Sequence, residues 1–468
     1  TVRPRGPRSR SSARRGGRWI ETWDPEDERF WQREGRHVAR RNLVFSIISE
    51  HIGFSVWTMF SVLALFMGPE YGIDAAGKFF LVAIASAVGA GLRLPYGFAV
   101  ARFGGRNWTV ISAALLLLPT TALLVVMEPG TSYTTFVVVA ILTGFGGGNF
   151  ASSMTNINSF YPMRLKGWAL GLNAGGGNIG VPVVQWVALL VIFVAGSQYP
   201  RLLVAFYIPL IVLAVALSWR YMDNLGPVSN DTGAAREAAR DGHTWIMSFL
   251  YIGTFGSFIG YGFAFGLVLQ NQFDRTPLEA ASITFIGPLL GSLIRPVGGR
   301  LADRWGGARI TLWNFVAMAA VSGVVVVASM TESLALFVAG FIPLFVLTGL
   351  GNGSTYKMIP GIYRSKASAM GLVGEAAAVY ARRLSGATMV IIGSIGAFGG
   401  LGINLALRQS FMTSGNGTAA FMVFCAFYVA CIVVTWTVYV RGSSAPAPTG
   451  GPEVGATEQE GRRAYAGV

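Results

Sequence analysis

TGFGGGNFASSMTNINSFYPMRLKGWALGLNAGGGNIG, residues 143–180, is apolar enough and long enough to enter a bilayer, yet it is crowded with Gly, Asn and Ser. A helix that faces lipid has no use for such residues. Small side chains let two helix backbones approach closely, and amides hydrogen-bond between helices inside a bundle. The stretch therefore belongs at a polar, tightly packed helix interface within a membrane.

The composition around it agrees. Of 468 residues, 53% are hydrophobic and 12% charged, with a mean hydropathy of +0.53. A soluble protein carries about 25% charged residues. Apolar runs of roughly 20 residues follow one another, each able to cross a hydrocarbon core of about 30 Å. A β-barrel would show short alternating segments instead. The formal charge of +14 comes almost entirely from Arg. In a membrane protein this reads as the positive-inside bias, and no basic-aromatic module points to nucleic acid. Cys425 and Cys431 share one apolar span and offer neither metal spacing nor a disulfide framework. Residues 1–41 are polar and Arg-rich, without the early apolar core of a cleavable signal peptide.

Twelve spans are expected, at 42–67, 79–101, 108–127, 134–158, 167–195, 201–222, 244–270, 278–302, 308–330, 335–358, 384–408 and 419–441. Residues 1–41 then form a cytoplasmic N-terminal tail, disordered over 1–18 and able to make a short interfacial helix over 19–41. Residues 42–222 form one six-helix bundle, 223–243 a polar cytoplasmic loop, and 244–441 a second bundle. The stretch 442–468 is rich in Pro, Gly and Ala and is expected to be a disordered cytoplasmic tail.

The halves echo each other. LRLPYGFAVARFGGRNWT from Leu92 parallels IRPVGGRLADRWGGARIT from Ile294, and Arg93 and Arg295 each precede their Gly-Gly pair by eleven positions. Thr143-Gly144-Phe145-Gly146 pairs with Thr348-Gly349-Leu350-Gly351, and Ala169-Leu170-Gly171-Leu172 with Ala369-Met370-Gly371-Leu372. The expected fold is an all-α membrane protein of twelve transmembrane helices in two pseudo-symmetric six-helix bundles. In secondary transporters built from repeats, the substrate site lies between the repeats near mid-membrane. RLADRWGGARI, residues 300–310, resembles the cytoplasmic loop motif of the major facilitator superfamily. The resemblance implies that Asp303, with Arg304 and the neighbouring arginines, forms a charge lock between helix ends. The first-half copy, FAVARFGGRNW, lacks the Asp.

Arg93 and Arg295 carry the functional reading. Each sits inside an apolar span, where a charge costs a few kcal/mol, and Arg does not shed its proton in a protein. No acidic residue is near either in sequence. Two facing guanidiniums without a carboxylate make an anion site, and their planar forks suit a flat oxyanion. The Gly-rich stretch lacks the Lys of a nucleotide loop, so its glycines read as close-packing faces. Asn149, Asn156, Asn173 and Asn178 can each donate to an anion or bond between helices.

GGGNFASSMTNINSFYP and ALGLNAGGGNIG resemble the signature of the nitrate/nitrite porters, a branch of the major facilitator superfamily. The likeness runs from SEHIGFSVW at Ser49 through TFGSFIGYGFAF, GNGSTYKMIP and IGAFGGLGINLALRQSF to the last span. It implies a nitrate site between the halves, built from Arg93, Arg295, Tyr251 and Asn178. It also implies an aromatic sandwich of Phe150 and Tyr356, the latter where relatives often carry Phe, with Lys357 directly following. Gly399 is expected to permit close backbone approach, and Phe54 to stand nearby. Glu50 and His51 are the titratable groups able to carry a coupled proton; a Glu paired with an interfacial Arg is the structural alternative. The histidines His37, His51 and His243 share no context, so no enzyme, cofactor or metal centre is expected. The expected protein is a monomeric plasma-membrane transporter of nitrate and nitrite with both termini cytoplasmic. The expected mode is nitrate/nitrite exchange by alternating access, with proton-coupled nitrate symport and a membrane anion sensor using the same site as the alternatives.

Overall fold

The computed structural model describes residues 14–15, 18–226, 228 and 231–441. The expected disorder over 1–13, 16–17 and 442–468 lies outside the described residues, whereas Arg14–Arg15, expected to be disordered, form a strand paired with Trp19–Ile20. Among the described residues, twelve helices are long and apolar enough to cross a membrane: α1 Glu28–Leu63, α2 Ala75–Phe103, α3 Gly105–Val126, α4 Tyr133–Phe160, α5 Met163–Ala195, α6 Pro200–Tyr221, α7 Gly242–Gln272, α8 Pro277–Trp305, α9 Gly307–Met330, α10 Leu334–Ala369, α11 Gly374–Ser414 and α12 Thr418–Val440. The apolar window of α7 is 94% buried, against 33% for α6 and α12. α7 is therefore central, and α6 and α12 are peripheral.

Several helices outrun their expected spans. Hydropathy marks only the part of a helix that needs lipid, so a polar continuation escapes it. α1 starts at Glu28 rather than 42, with the Asp27 carboxylate capping the Arg29 and Phe30 amides. Phe30 and Trp31 are buried. The Trp23 indole donates to the Phe160 carbonyl at 3.3 Å, and Glu26 accepts from the Met163 amide at 2.9 Å. Residues 19–41 are thus docked on the α4–α5 turn instead of forming a separate interfacial helix. A small sheet orders β1 Arg14–Arg15, β2 Trp19–Ile20 and β3 Asn224–Leu225, with β3 parallel to β2. Fully buried Asp223 beside it accepts from Arg41 and from Asn42.

The segment expected as a polar loop contains a helix, Thr232–Arg240, that packs on the second bundle. Arg383 ion-pairs Asp231 and Glu237, and Lys366 pairs Asp241 at 2.6 Å. The Arg383 guanidinium and the Ala234 amide hold the Asp231 carboxyl below the usual carboxylate range.

The sequence echo has a structural counterpart. Gly104 closes α2 at φ 85° and Gly306 closes α8 at φ 88°, a conformation L side chains rarely adopt, and α3 and α9 start at the next residue. The glycines of α4 serve close packing, as expected. A Cβ on Gly147 would stand 2.6 Å from the Gly89 Cα of α2. In the second half, a Cβ on Gly349 would run into the Gly291 carbonyl of α8.

Three side-chain hydrogen bonds join the bundles among the described residues. Arg93 donates to the Gly393 carbonyl at 3.0 Å, Gln185 to Gly262 at 2.8 Å and Gln270 to Leu65 at 3.0 Å. The last lies at the ends of α1 and α7 remote from the 223–243 connection, where Phe79 also packs on Phe411 at 5.1 Å. The halves are therefore joined from the level of Arg93 to that far side.

Candidate anion-binding site

Arg93 projects from α2 two residues before Pro95, and Arg295 from α8 directly before Pro296. Proline inside a helix removes one backbone hydrogen bond, so each arginine sits beside a loosened turn. Arg93 is 1% exposed. Its guanidinium carbon lies 4.7 Å from the Phe150 ring, 4.9 Å from Phe255 and 5.3 Å from Trp57. Arg295, half-buried, lies 5.8 Å from the Tyr356 ring and donates to the Tyr251 hydroxyl at 3.2 Å. Aromatic faces carry negative potential that attracts a cation, which holds both charges without a carboxylate.

α7 unites the two sides. Residues Ile252–Gly256 form a π-helical turn, so Tyr251 and Phe255 stack at 5.2 Å with planes 13° apart. π-turns inside α-helices occur often at functional sites. Phe255 stacks on Phe150 of α4 at 6.2 Å, and Tyr251 leans on Tyr356 of α10 at 5.2 Å. A continuous aromatic wall therefore links Arg93 of one bundle to Arg295 of the other.

Both guanidiniums have spare donors. Arg93 uses Nη1 on Gly393, while Nε and Nη2 are buried without a partner; Arg295 Nη1 is likewise unmatched. A buried donor left unmade costs about 1–3 kcal/mol, and more when charged. Among the described ion pairs, none involves Arg93 or Arg295. The arrangement calls for a small anion with several acceptors.

Other residues singled out from sequence are placed differently. Asn173 spends its amide nitrogen on Glu50 Oε2 at 2.6 Å and on Ser153 at 2.9 Å, so it braces α1, α4 and α5. Asn178 is buried with its carbonyl oxygen unmatched, and both polar atoms of Asn149 are unmatched too. Gly399 provides a close approach, but to backbone: its Cβ would stand 2.5 Å from the Gly256 Cα. Phe54 packs edge-on against Phe150 at 6.0 Å. Asp303 pairs with Lys357 at 2.8 Å, whereas Arg304 lies over the Trp305 ring at 5.2 Å. Among the described residues the ion pair of Asp303 is therefore with Lys357 inside α10, not with Arg304. Glu50 accepts from Ser153 and Asn173 and pairs with no interfacial Arg, and His51 meets the Gly176 carbonyl at 3.2 Å.

Trp57, Phe255 and the Gly393 carbonyl belong to the site but were not read from the sequence. The signal for Phe255 was its i+4 spacing from Tyr251, which puts both on one helix face.

The Tyr356 hydroxyl donates to the Met389 carbonyl at 3.1 Å, while its ring lies 5.8 Å from the Arg295 guanidinium carbon. Tyr356→Phe is expected to keep nitrate affinity within about twofold and to cost about 1 kcal/mol of stability. Titration of nitrate against the purified variant checks this; a tenfold weaker affinity would place the hydroxyl on the anion.

Residues 47–400 match the sequence pattern of the Major Facilitator Superfamily. The chain is 37% identical over 446 residues to the nitrate/nitrite transporter NarU of Escherichia coli (strain K12), covering 90% of this chain and 96% of that protein. It is 30% identical over 453 residues to the probable nitrate/nitrite antiporter NarK2 of Thermus thermophilus, covering 91% and 97%. A nitrite extrusion protein of Bacillus subtilis (strain 168) is 25% identical over 404 residues, covering 86% and 95%. Among solved structures, a D-xylose-proton symporter superposes with a TM-score of 0.59 at 15% identity, over 84% of this chain and 96% of that one, which speaks for the fold alone.

Proposed function

This chain belongs to the major facilitator superfamily and, within it, to the nitrate/nitrite transporters; from that premise we propose that it exchanges nitrate for nitrite across the plasma membrane by alternating access. It works as a monomer with both termini cytoplasmic, the side to which the Arg-rich N-terminal stretch points by the positive-inside bias. The observation that carries the reading is the pair of guanidiniums, one from each bundle, with spare donors and no carboxylate partner.

Arg93 and Arg295 are the anion ligands. Phe150, Phe255, Tyr251 and Tyr356 form the apolar walls that admit a flat ion and resist a hydrated one. Asn178, with an unmatched oxygen, is a polar group of the same half. Two guanidiniums brought to about 4 Å repel by about 4 kcal/mol at an effective dielectric near 20. A bound anion removes that cost, so closure around a loaded site is favoured over closure around an empty one. A carrier that reorients mainly when loaded exchanges one anion for another. The names of the relatives, which include an antiporter and an extrusion protein, support the same reading.

Counterflow in proteoliposomes tests it. Internal nitrite is expected to accelerate entry of labelled nitrate at least tenfold over anion-free vesicles. Equal rates with and without internal nitrite would sink exchange.

A further inference from the structure

Three arginines among the described residues combine an aromatic face with a buried nitrogen that has no hydrogen-bond partner: Arg93, Arg295 and Arg408. The first two are the anion ligands of the reading above. Arg408 lies on α11, half-buried, with its guanidinium carbon 5.4 Å from the Phe80 ring of α2 and its Nε unmatched. None of the described ion pairs involves it. Asp74 shares its neighbourhood around Tyr133, but that carboxylate caps α2 and accepts from the Gly77 amide at 2.7 Å. A guanidinium held by a ring rather than by a carboxylate keeps its charge and its donors available to an anion.

The contact crosses from one bundle to the other. Arg93 donates from α2 to the Gly393 carbonyl of α11, and Arg408 reaches from α11 to Phe80 of α2, so both lie on one seam. Thirteen residues separate Phe80 from Arg93 and fifteen separate Gly393 from Arg408, which makes about 20 Å of seam at about 1.5 Å per residue. Arg408 is on the side remote from the 223–243 connection, beside the Phe79–Phe411 pair. Between the two arginines the seam carries further unmatched polar atoms. Asn404, one turn before Arg408, is fully buried with its Oδ1 free. Ser86 Oγ is buried and free at the point where a Cβ on Gly400 of α11 would meet it. Such orphaned polar atoms are uncommon in an interface that serves packing alone.

We propose that Arg408 is a second, outer binding site for small oxyanions, closed in this conformation by Phe80 and presented when the bundles part on that side. The proposal rests on the reading of the chain as an anion exchanger. Parting of α2 from α11 takes the Phe80 ring off the guanidinium. Its N–H donors then face the widening cleft, where a fixed charge between low-dielectric walls concentrates anions. A captured anion moves along the seam to Arg93 and Arg295, which bind it more strongly because two guanidiniums share it. On closure the ring takes the guanidinium back, so the outer site does not retain the anion.

Membrane vesicles of either orientation, loaded with nitrite, test this. In right-side-out vesicles Arg408→Gln is expected to raise the KM for labelled nitrate about tenfold, the loss of a focusing charge. In inside-out vesicles, and in titration of nitrate against detergent-solubilised protein, the same variant is expected to stay within about twofold of the wild type, since sites this far apart act independently. Phe80→Leu removes the ring and leaves the cation, so its outer KM is expected to hold or fall. A contact that only keeps the bundles together predicts instead that both variants shift the outer KM in the same direction. An unchanged outer KM in Arg408→Gln, an equal loss at both faces or in detergent, or a rise in Phe80→Leu matching that of Arg408→Gln overturns the proposal. Absence of nitrate–nitrite exchange in wild-type vesicles strikes the exchange reading and the outer site with it. Wild-type exchange together with any of those three results strikes the outer site alone.

Discussion

Arg93→Lys is expected to abolish nitrate transport at wild-type expression and reconstitution, with nitrate affinity falling roughly a hundredfold or more. The guanidinium does three things at once. Nη1 ties α2 to the Gly393 carbonyl of α11, Nε and Nη2 remain free, and the planar group lies among the Phe150, Phe255 and Trp57 rings. A lysine keeps the charge but is a point donor without the fork. It can serve Gly393 or the anion, and it stacks poorly on three rings. Losing one charge-assisted bond costs about 1.5–3 kcal/mol, and about 2.7 kcal/mol corresponds to a hundredfold in affinity. Arg295→Lys should follow the same pattern with a smaller loss, because Arg295 is half-buried and spends one donor on Tyr251. Uptake of labelled nitrate into proteoliposomes, with binding titrated in detergent, checks both. Wild-type uptake by Arg93→Lys would remove the anion site from this position.

Gly399→Val is expected to destabilise the fold by about 3 kcal/mol or more, through overpacking that the backbone cannot relieve. The added carbon would stand 2.5 Å from the Gly256 Cα, 3.1 Å from its carbonyl carbon and 3.2 Å from an Ile252 methyl. The first two are backbone atoms of the π-helical turn that orients Tyr251 and Phe255, so α11 must move away from α7. Glycines at such crossings let helices associate through backbone contact where no hydrophobic driving force exists. Heating detergent-solubilised protein and measuring the surviving monomer peak should show a lower midpoint for the variant. Unchanged thermal stability with selectively weakened nitrate binding would return Gly399 to the anion site.

Much of the candidate site was legible because its signals are one-dimensional. An arginine inside an apolar run is anomalous wherever it lies, and its recurrence at the same distance from Gly-Gly in the second half makes it a candidate for function. Buried Arg93 follows from that anomaly, whereas Tyr251 entered only through the family resemblance and its contact with Arg295 depends on the fold. Asparagine carries no such signal. An amide in a span must find some partner, and nothing in the order of residues says that Asn173 finds Glu50 across two helices. Asp303 shows the same difficulty on the surface, since its nearest cation in space is Lys357, contributed by a different helix.

The residues taken in order determined the membrane setting, the twelve helices, the duplication and the two unpaired cations. Each of these follows from the hydropathy, period or charge of a contiguous stretch. Helix ends beyond the hydrocarbon did not follow, because polar helical turns leave no apolar mark. Only the tertiary structure decided that Trp57, Phe150, Phe255, Tyr251 and Tyr356 enclose the arginines, that Asn173 holds Glu50, and that the Gly399 backbone meets Gly256. The reason is geometric: a helix face can be read from periodicity, but the neighbour that face meets depends on how the helices cross.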